Sequence, residues 1–132
     1  NDILFKSSDF KNIDDIVGEF ATKNSFYVVQ NMHHELLAKN IFVFDPKSEE
    51  FLNLDLHGEL SRKGVVYFEE DEIFSTLQTY EELPILAPEK EFINYLIKKL
   101  DKKSLTKKSF AYLRELYLSH VDICDIQIRR FF

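Results

Sequence analysis

The chain has 132 residues, 45% hydrophobic and 30% charged, with a formal net charge of −6. This composition excludes a disordered chain. The acidic balance argues against a general nucleic-acid binder, whose phosphate affinity depends on Lys and Arg, but leaves open a small phosphorylated substrate bridged by a metal ion. Cys124 is the only cysteine, so no intrachain disulfide can form, and no apolar run approaches the ~18 residues of a membrane span.

A single cytoplasmic domain is expected, with Phe supplying most of the large core volume. No signal peptide is visible, and the missing initiator Met is what a processed or excised fragment would show. Asp2–Lys6 reads as a short strand. Ser7, Ser8 and Asp9 offer N-cap oxygens to a helix over Asp9–Lys23, whose apolar face is Phe10, Ile13, Ile16, Val17, Phe20 and Ala21. Ser25–Gln30 is β-rich, and the segment over residues 33–40 is ambiguous. Ile41–Phe44 reads as a strand, with a turn at Asp45-Pro46-Lys47-Ser48.

Glu50–His57 alternates cleanly and should pair with the preceding strand as a hairpin. Leu52, Leu54 and Leu56 face one way; Phe51, Asn53, Asp55 and His57 face the other. Gly58 ends this strand. Val65–Phe68 is a further strand, a short helix runs from Glu69 to Leu77, and Leu83–Leu86 reads as a short buried segment.

From Pro88, suited to a first helical position, the chain turns helical. Phe92, Ile93, Leu96, Ile97 and Leu100 form a stripe. A second helix starts after Ser104 and should bury Phe110, Leu113, Leu116 and Tyr117. Val121–Phe132 fits a helix or a strand; a capping-box-like start at Ser119 and Asp122 favours the helix. The expectation is one α+β domain: a mixed β-sheet with packed helices over residues 1–87, then a helical extension over 88–132. No repeat or low-complexity stretch interrupts it.

Asp55 is the residue that stands out. A carboxylate held on a rigid strand backed by leucines is a suitable oxygen ligand for Mg²⁺. The alternative is an ordinary solvated carboxylate on a wet sheet face.

A short strand carrying Asp2 is followed by a helix and a hairpin ending Leu54-Asp55-Leu56-His57. The run from Leu83 to Glu91 then leads into a helix. This order resembles the uncharacterised bacterial nucleotidyltransferase-like proteins of the DNA polymerase β-like fold, some associated with polysaccharide biosynthesis. In that family a Gly-Ser turn precedes an Asp-x-Asp strand, and a later strand supplies a third acidic residue.

The resemblance implies that Asp2 and Asp55 are catalytic metal ligands for Mg²⁺, with His57 and Asn53 as weaker substrate-binding candidates. It implies transfer of a nucleotidyl group from a nucleoside triphosphate to a hydroxyl acceptor. The Gly-Ser turn and the first Asp do not occur in the chain, so weak or no activity is expected. The alternative is a non-catalytic recognition or protein-interaction module of a larger protein, to which exposed Tyr80, Tyr95 and Tyr112 would contribute. Nucleic acid and membrane are not expected partners; an additional domain in the parent chain is.

Other clusters carry less. Lys98, Lys99, Lys102, Lys103, Lys107 and Lys108 could meet a polyanion or form a solvated face. His33-His34-Glu35 lacks the i, i+4 spacing of a helical metal pair and reads as ordinary surface histidines. Cys124, among Val121, Ile123 and Ile128, reads as a buried, inert thiol. Gly18, Gly58 and Gly64 are scattered, which argues against a phosphate-binding glycine loop.

Overall fold

The protein, as a computed structural model, is described over residues 2–132, with only the backbone described for Asp2 and Glu35. Asn1 lies outside the described residues. The strands are β1 (Asp2–Leu4), β2 (Tyr27–Glu35), β3 (Ala38–Asp45), β4 (Glu50–His57), β5 (Leu60–Arg62), β6 (Val65–Phe68), β7 (Gln78–Tyr80) and β8 (Leu83–Ile85). The helices are α1 (Ile13–Asn24), α2 (Glu70–Phe74), α3 (Pro88–Asp101), α4 (Lys107–Ser119) and α5 (Val121–Phe131). The class is α+β. The chain forms two compact units, Asn1–Glu70 and Asp71–Phe132.

The first unit is built on a mixed four-stranded sheet in the order β1-β4-β3-β2. β2, β3 and β4 run antiparallel, and β1 joins β4 in parallel. The β3–β4 turn forms as its sequence dictates: the Asp45 carboxylate accepts from the Lys47 N–H and the Ser48 hydroxyl, each at 2.8 Å. These bonds to the charged form hold the Asp45 carboxyl below its usual range.

The helix α1 covers one sheet face. Ile13, Val17 and Ala21 recur at four-residue spacing, so they share one side of the helix, and they pack on Ile41, Val43 and Leu56. Leu52 and Leu54 join this core, as the alternation of β4 requires. Burying side chains such as Ile13 and Val17 contributes roughly 1.5–3 kcal/mol each.

Several expectations are corrected. The helix expected over Asp9–Lys23 divides into a 3-10 segment, Ser7–Asn12, and α1, and neither start has a side-chain cap. Ile16 and Phe20 lie on the exposed side of α1. The ambiguous stretch resolves into a β2 that runs on to Glu35 and a β3 that begins at Ala38. Leu83–Ile85 is an exposed strand rather than a buried segment, because it pairs only with the equally exposed β7.

In the second unit, Pro88 occupies the first turn of α3, and Phe92 and Ile93 are buried, whereas Leu100 is 47% exposed. Helix α4 is capped by Thr106 and Ser109, whose side chains and backbone N–H groups bond reciprocally. Leu113 is buried and Phe110 is not. The capping arrangement expected from Ser119 and Asp122 is not formed; His120 precedes α5 without a side-chain cap. Lys90 is buried, and its ammonium donates to the Thr76 hydroxyl at 2.5 Å.

Two consequences can be measured. Cys124 is fully buried on α5, and burial pushes its thiol pKa up. Thiol reagents are therefore expected to modify it only as fast as the protein opens; immediate labelling of native protein would contradict this.

Gly58 is buried where β4 ends. Its N–H donates to the Leu37 carbonyl at 2.7 Å, and an added Cβ would lie 3.1 Å from the Leu37 Cβ and 3.2 Å from the Phe5 ring. The neighbours would have to yield, so Gly58→Ala is expected to destabilise by about 1–2 kcal/mol, read as a lower urea midpoint. An unchanged midpoint would show that the pocket has slack.

Candidate functional site

The sheet face opposite α1 is aromatic at one end, with Phe42, Phe44 and Phe51, and polar at the other. In an antiparallel pair, directly opposed residues share a face, and Asn40 on β3 opposes Asp55 on β4. Asn53 and His57 flank Asp55 at two-residue spacing on the same face. Asn53 is exposed, whereas Asp55 and His57 are half-buried. The leucine-backed placement expected for Asp55 is therefore what forms.

The parallel register of β1 on β4 sets Asp2 beside Asp55, Ile3 beside Leu56 and Leu4 beside His57. Thus the backbone brings together the two acidic positions of the expected site. The Asp2 side chain lies outside the described residues.

Two imidazoles approach one oxygen. His57 Nε2 lies 3.0 Å and His34 Nε2 3.5 Å from Asp55 Oδ1. The rings meet edge to face, with centroids 6.0 Å apart. His34 reaches this position from an irregularity in β2, where pairing steps from His33 opposite Lys39 to Glu35 opposite Ala38. A bulge of this kind re-aims a side chain.

Although 3.0 Å is a hydrogen-bonding distance, Asp55 Oδ1 has no hydrogen bond among the described residues. The pair is close but misaligned, and proximity alone does not satisfy the oxygen. Asn40 Oδ1 is likewise buried without a partner. Two unsatisfied oxygens on opposed positions of one face are the clearest anomaly of the unit, since buried polar atoms normally have partners or an ion.

His34 and Asn40 escaped the sequence reading. Adjacent histidines carry no metal-ligand spacing, and the bulge that re-aims His34 is not written in any one residue. Asn40 fell in the ambiguous stretch; only the register with Asp55 gives it meaning.

Next to this face, on the other side of the sheet, the Lys39 side chain is 2% exposed and its ammonium lies 2.7 Å from Asp14 Oδ1. Asn31 donates to the same oxygen at 2.8 Å, and Lys39 sits 5.0 Å from the Phe10 ring centroid. The hydrogen bond from Lys39 is the main reason that the Asp14 carboxyl lies below its usual range.

The lysine-rich segment belongs to the second unit. Lys98 and Lys99 lie in the last turn of α3, where positive charge suits the free carbonyls. There, Tyr95 and Tyr112 meet edge to face with centroids 5.1 Å apart, and the Tyr112 hydroxyl donates to Glu91; burial and this bond push the Tyr112 pKa up. Of the three tyrosines expected to be exposed, Tyr80 and Tyr112 are, whereas Tyr95 is half-buried.

Among the described residues, no group of three or more His, Cys, Asp and Glu side chains is arranged to hold a metal ion, and no helix is long and apolar enough to cross a membrane. Compared with family models, curated proteins and solved structures, the chain matches none.

Proposed function

We propose that the chain is a nucleotidyltransferase-like domain that binds a nucleoside triphosphate through a divalent cation held at Asp2 and Asp55. The observation that carries this reading is the β1–β4 register, which places these two acidic positions side by side on parallel strands. The orphaned Asp55 Oδ1 supports it, because a buried carboxylate oxygen without a donor fits a cation.

A divalent cation held by Asp2 and Asp55 would neutralise triphosphate charge while an acceptor hydroxyl displaces pyrophosphate from the α-phosphorus. The chain's own residues do the positioning. Strand β4 fixes Asp55 through its leucine face on α1. His57 stands beside the carboxylate at 3.0 Å, where it limits rotation of Asp55, and exposed Asn53 offers an amide to the substrate on the same face. With Asp55 as the only described carboxylate of the site, the arrangement supports binding more strongly than turnover. A recognition module of a larger protein is the second reading.

Calorimetry with ATP and with CTP, each with Mg²⁺, on wild type and Asp55→Ala tests the proposal. Binding by wild type alone is expected. Equal binding by both proteins would remove Asp55 from the site, and pyrophosphate release in the presence of an acceptor would decide for the enzyme over the module.

A further inference from the structure

The donors around Asp55 are not those of an all-oxygen Mg²⁺ site. From the orphaned oxygens of Asp55 and Asn40, which oppose each other across β3 and β4, and the His57 imidazole beside Asp55, we infer that the cation held here is a first-row transition-metal dication, bound with the His57 nitrogen in its shell in preference to Mg²⁺. This deepens, and rests on, the cation site proposed above.

The geometry is the first support. Ligand atoms about 2.1 Å from one ion and set about 90–110° apart lie about 3.0–3.4 Å from each other. The 3.0 Å between His57 Nε2 and Asp55 Oδ1 falls in this span, and the pair is not aligned as a hydrogen bond. A nitrogen and an oxygen that are close yet face past each other can both face a third atom between them.

The second support is Asn40. Its amide oxygen is buried and unpartnered directly opposite Asp55. An amide oxygen is a neutral, hard donor that adds to an ion's shell without adding charge. Asp55, Asn40 and His57 thus offer two oxygens and one nitrogen. Mg²⁺ takes oxygen and water and gains little from imidazole, whereas Mn²⁺, Co²⁺ and Zn²⁺ accept it, so one imidazole in the shell sets the selectivity. His34, at 3.5 Å from the same oxygen, stands on β2, two strands away from β4, and is assigned no bond to the ion.

The test is Mn²⁺ binding to the full chain, followed by EPR and competed with Mg²⁺, with pulsed EPR reporting nitrogen coupling to the bound ion. Wild type is expected to bind Mn²⁺ at least about tenfold more tightly than Mg²⁺ and to show imidazole nitrogen coupling. His57→Ala and His57→Gln, checked for native circular dichroism, should lose the coupling and the preference. Asn40→Ala should weaken Mn²⁺ severalfold but keep the coupling, and His34→Ala should keep both.

Equal affinity for the two ions, absence of nitrogen coupling, or coupling that survives both His57 variants would overturn the inference. Failure of the two proposals is distinguishable. Mg²⁺–ATP bound through Asp55 without nitrogen coupling to Mn²⁺ retains the nucleotide site and sinks the ion preference. Coupled Mn²⁺ with no nucleotide binding does the reverse.

Discussion

Asp14→Ala is expected to destabilise the protein by about 2–3 kcal/mol, and Lys39→Met by far less. Lys39 is almost wholly buried, so removing its carboxylate leaves an ammonium without compensation, a change that typically costs about 3–5 kcal/mol for a buried pair. Asp14 is half exposed, so water already screens part of the interaction, and the lower figure applies. Lys39→Met removes the buried charge itself and leaves a carboxylate that water can solvate, with Phe10 still available to pack on the thioether. Urea denaturation of the two variants and the double variant reads the asymmetry. Equal losses in both single variants would contradict it.

The same pair gives a pH dependence. The Asp14 pKa is lower folded than unfolded, so the unfolded chain binds the proton more readily as pH falls. The stabilisation is fully present above the unfolded value of about 3.9 and is lost as pH falls through the lowered folded value. Lys39→Met should flatten this acid dependence.

Asp55→Asn is expected to reduce Mg²⁺–ATP affinity by at least about 100-fold, because loss of a metal-site partner alone commonly costs 10–100-fold and here the charged ligand itself is removed. Stability should move the other way or not at all. Asp55 Oδ1 is buried without a hydrogen bond, and the neutral amide relieves the charge that makes this unfavourable. A variant that binds no nucleotide yet melts no lower than wild type is the signature of a residue kept for a ligand rather than for the fold. Loss of binding together with a large drop in melting temperature would instead mark Asp55 as structural.

Much of the first unit was legible. The alternation in Glu50–His57 fixed both faces of β4, because a period of two admits no other assignment once the leucines are inside. Val65–Phe68 matched β6, but its partner Leu60–Arg62 was missed, although Lys63 and Gly64, both at positive φ, make the tight turn between them. In the helices, periodicity located the stripes but not their depth: Phe110 and Leu100 fit the pattern and remain exposed.

The site was legible only as far as single strands allow. Asp55, Asn53 and His57 share one strand, so the sequence placed them together. Asn40 comes opposite Asp55, and His34 comes within 3.5 Å of its carboxylate, only through a register and a bulge that depend on the pairing of whole segments. The expectation that Asp2 and Asp55 belong together came from the resemblance, and the β1–β4 register sets the two backbone positions side by side. The expected single domain of 1–87 plus 88–132 stands beside a contact boundary at Glu70–Asp71, which falls inside α2 rather than at a composition change.

The most direct measurement is calorimetric titration of wild type and Asp55→Asn with ATP, first with Mg²⁺ and then with the ion removed by EDTA. Saturable heat in wild type with Mg²⁺, lost on chelation and in the variant, is the predicted result. Saturable heat of the same size without the ion, or in Asp55→Asn, would contradict a cation-mediated nucleotide site at Asp55.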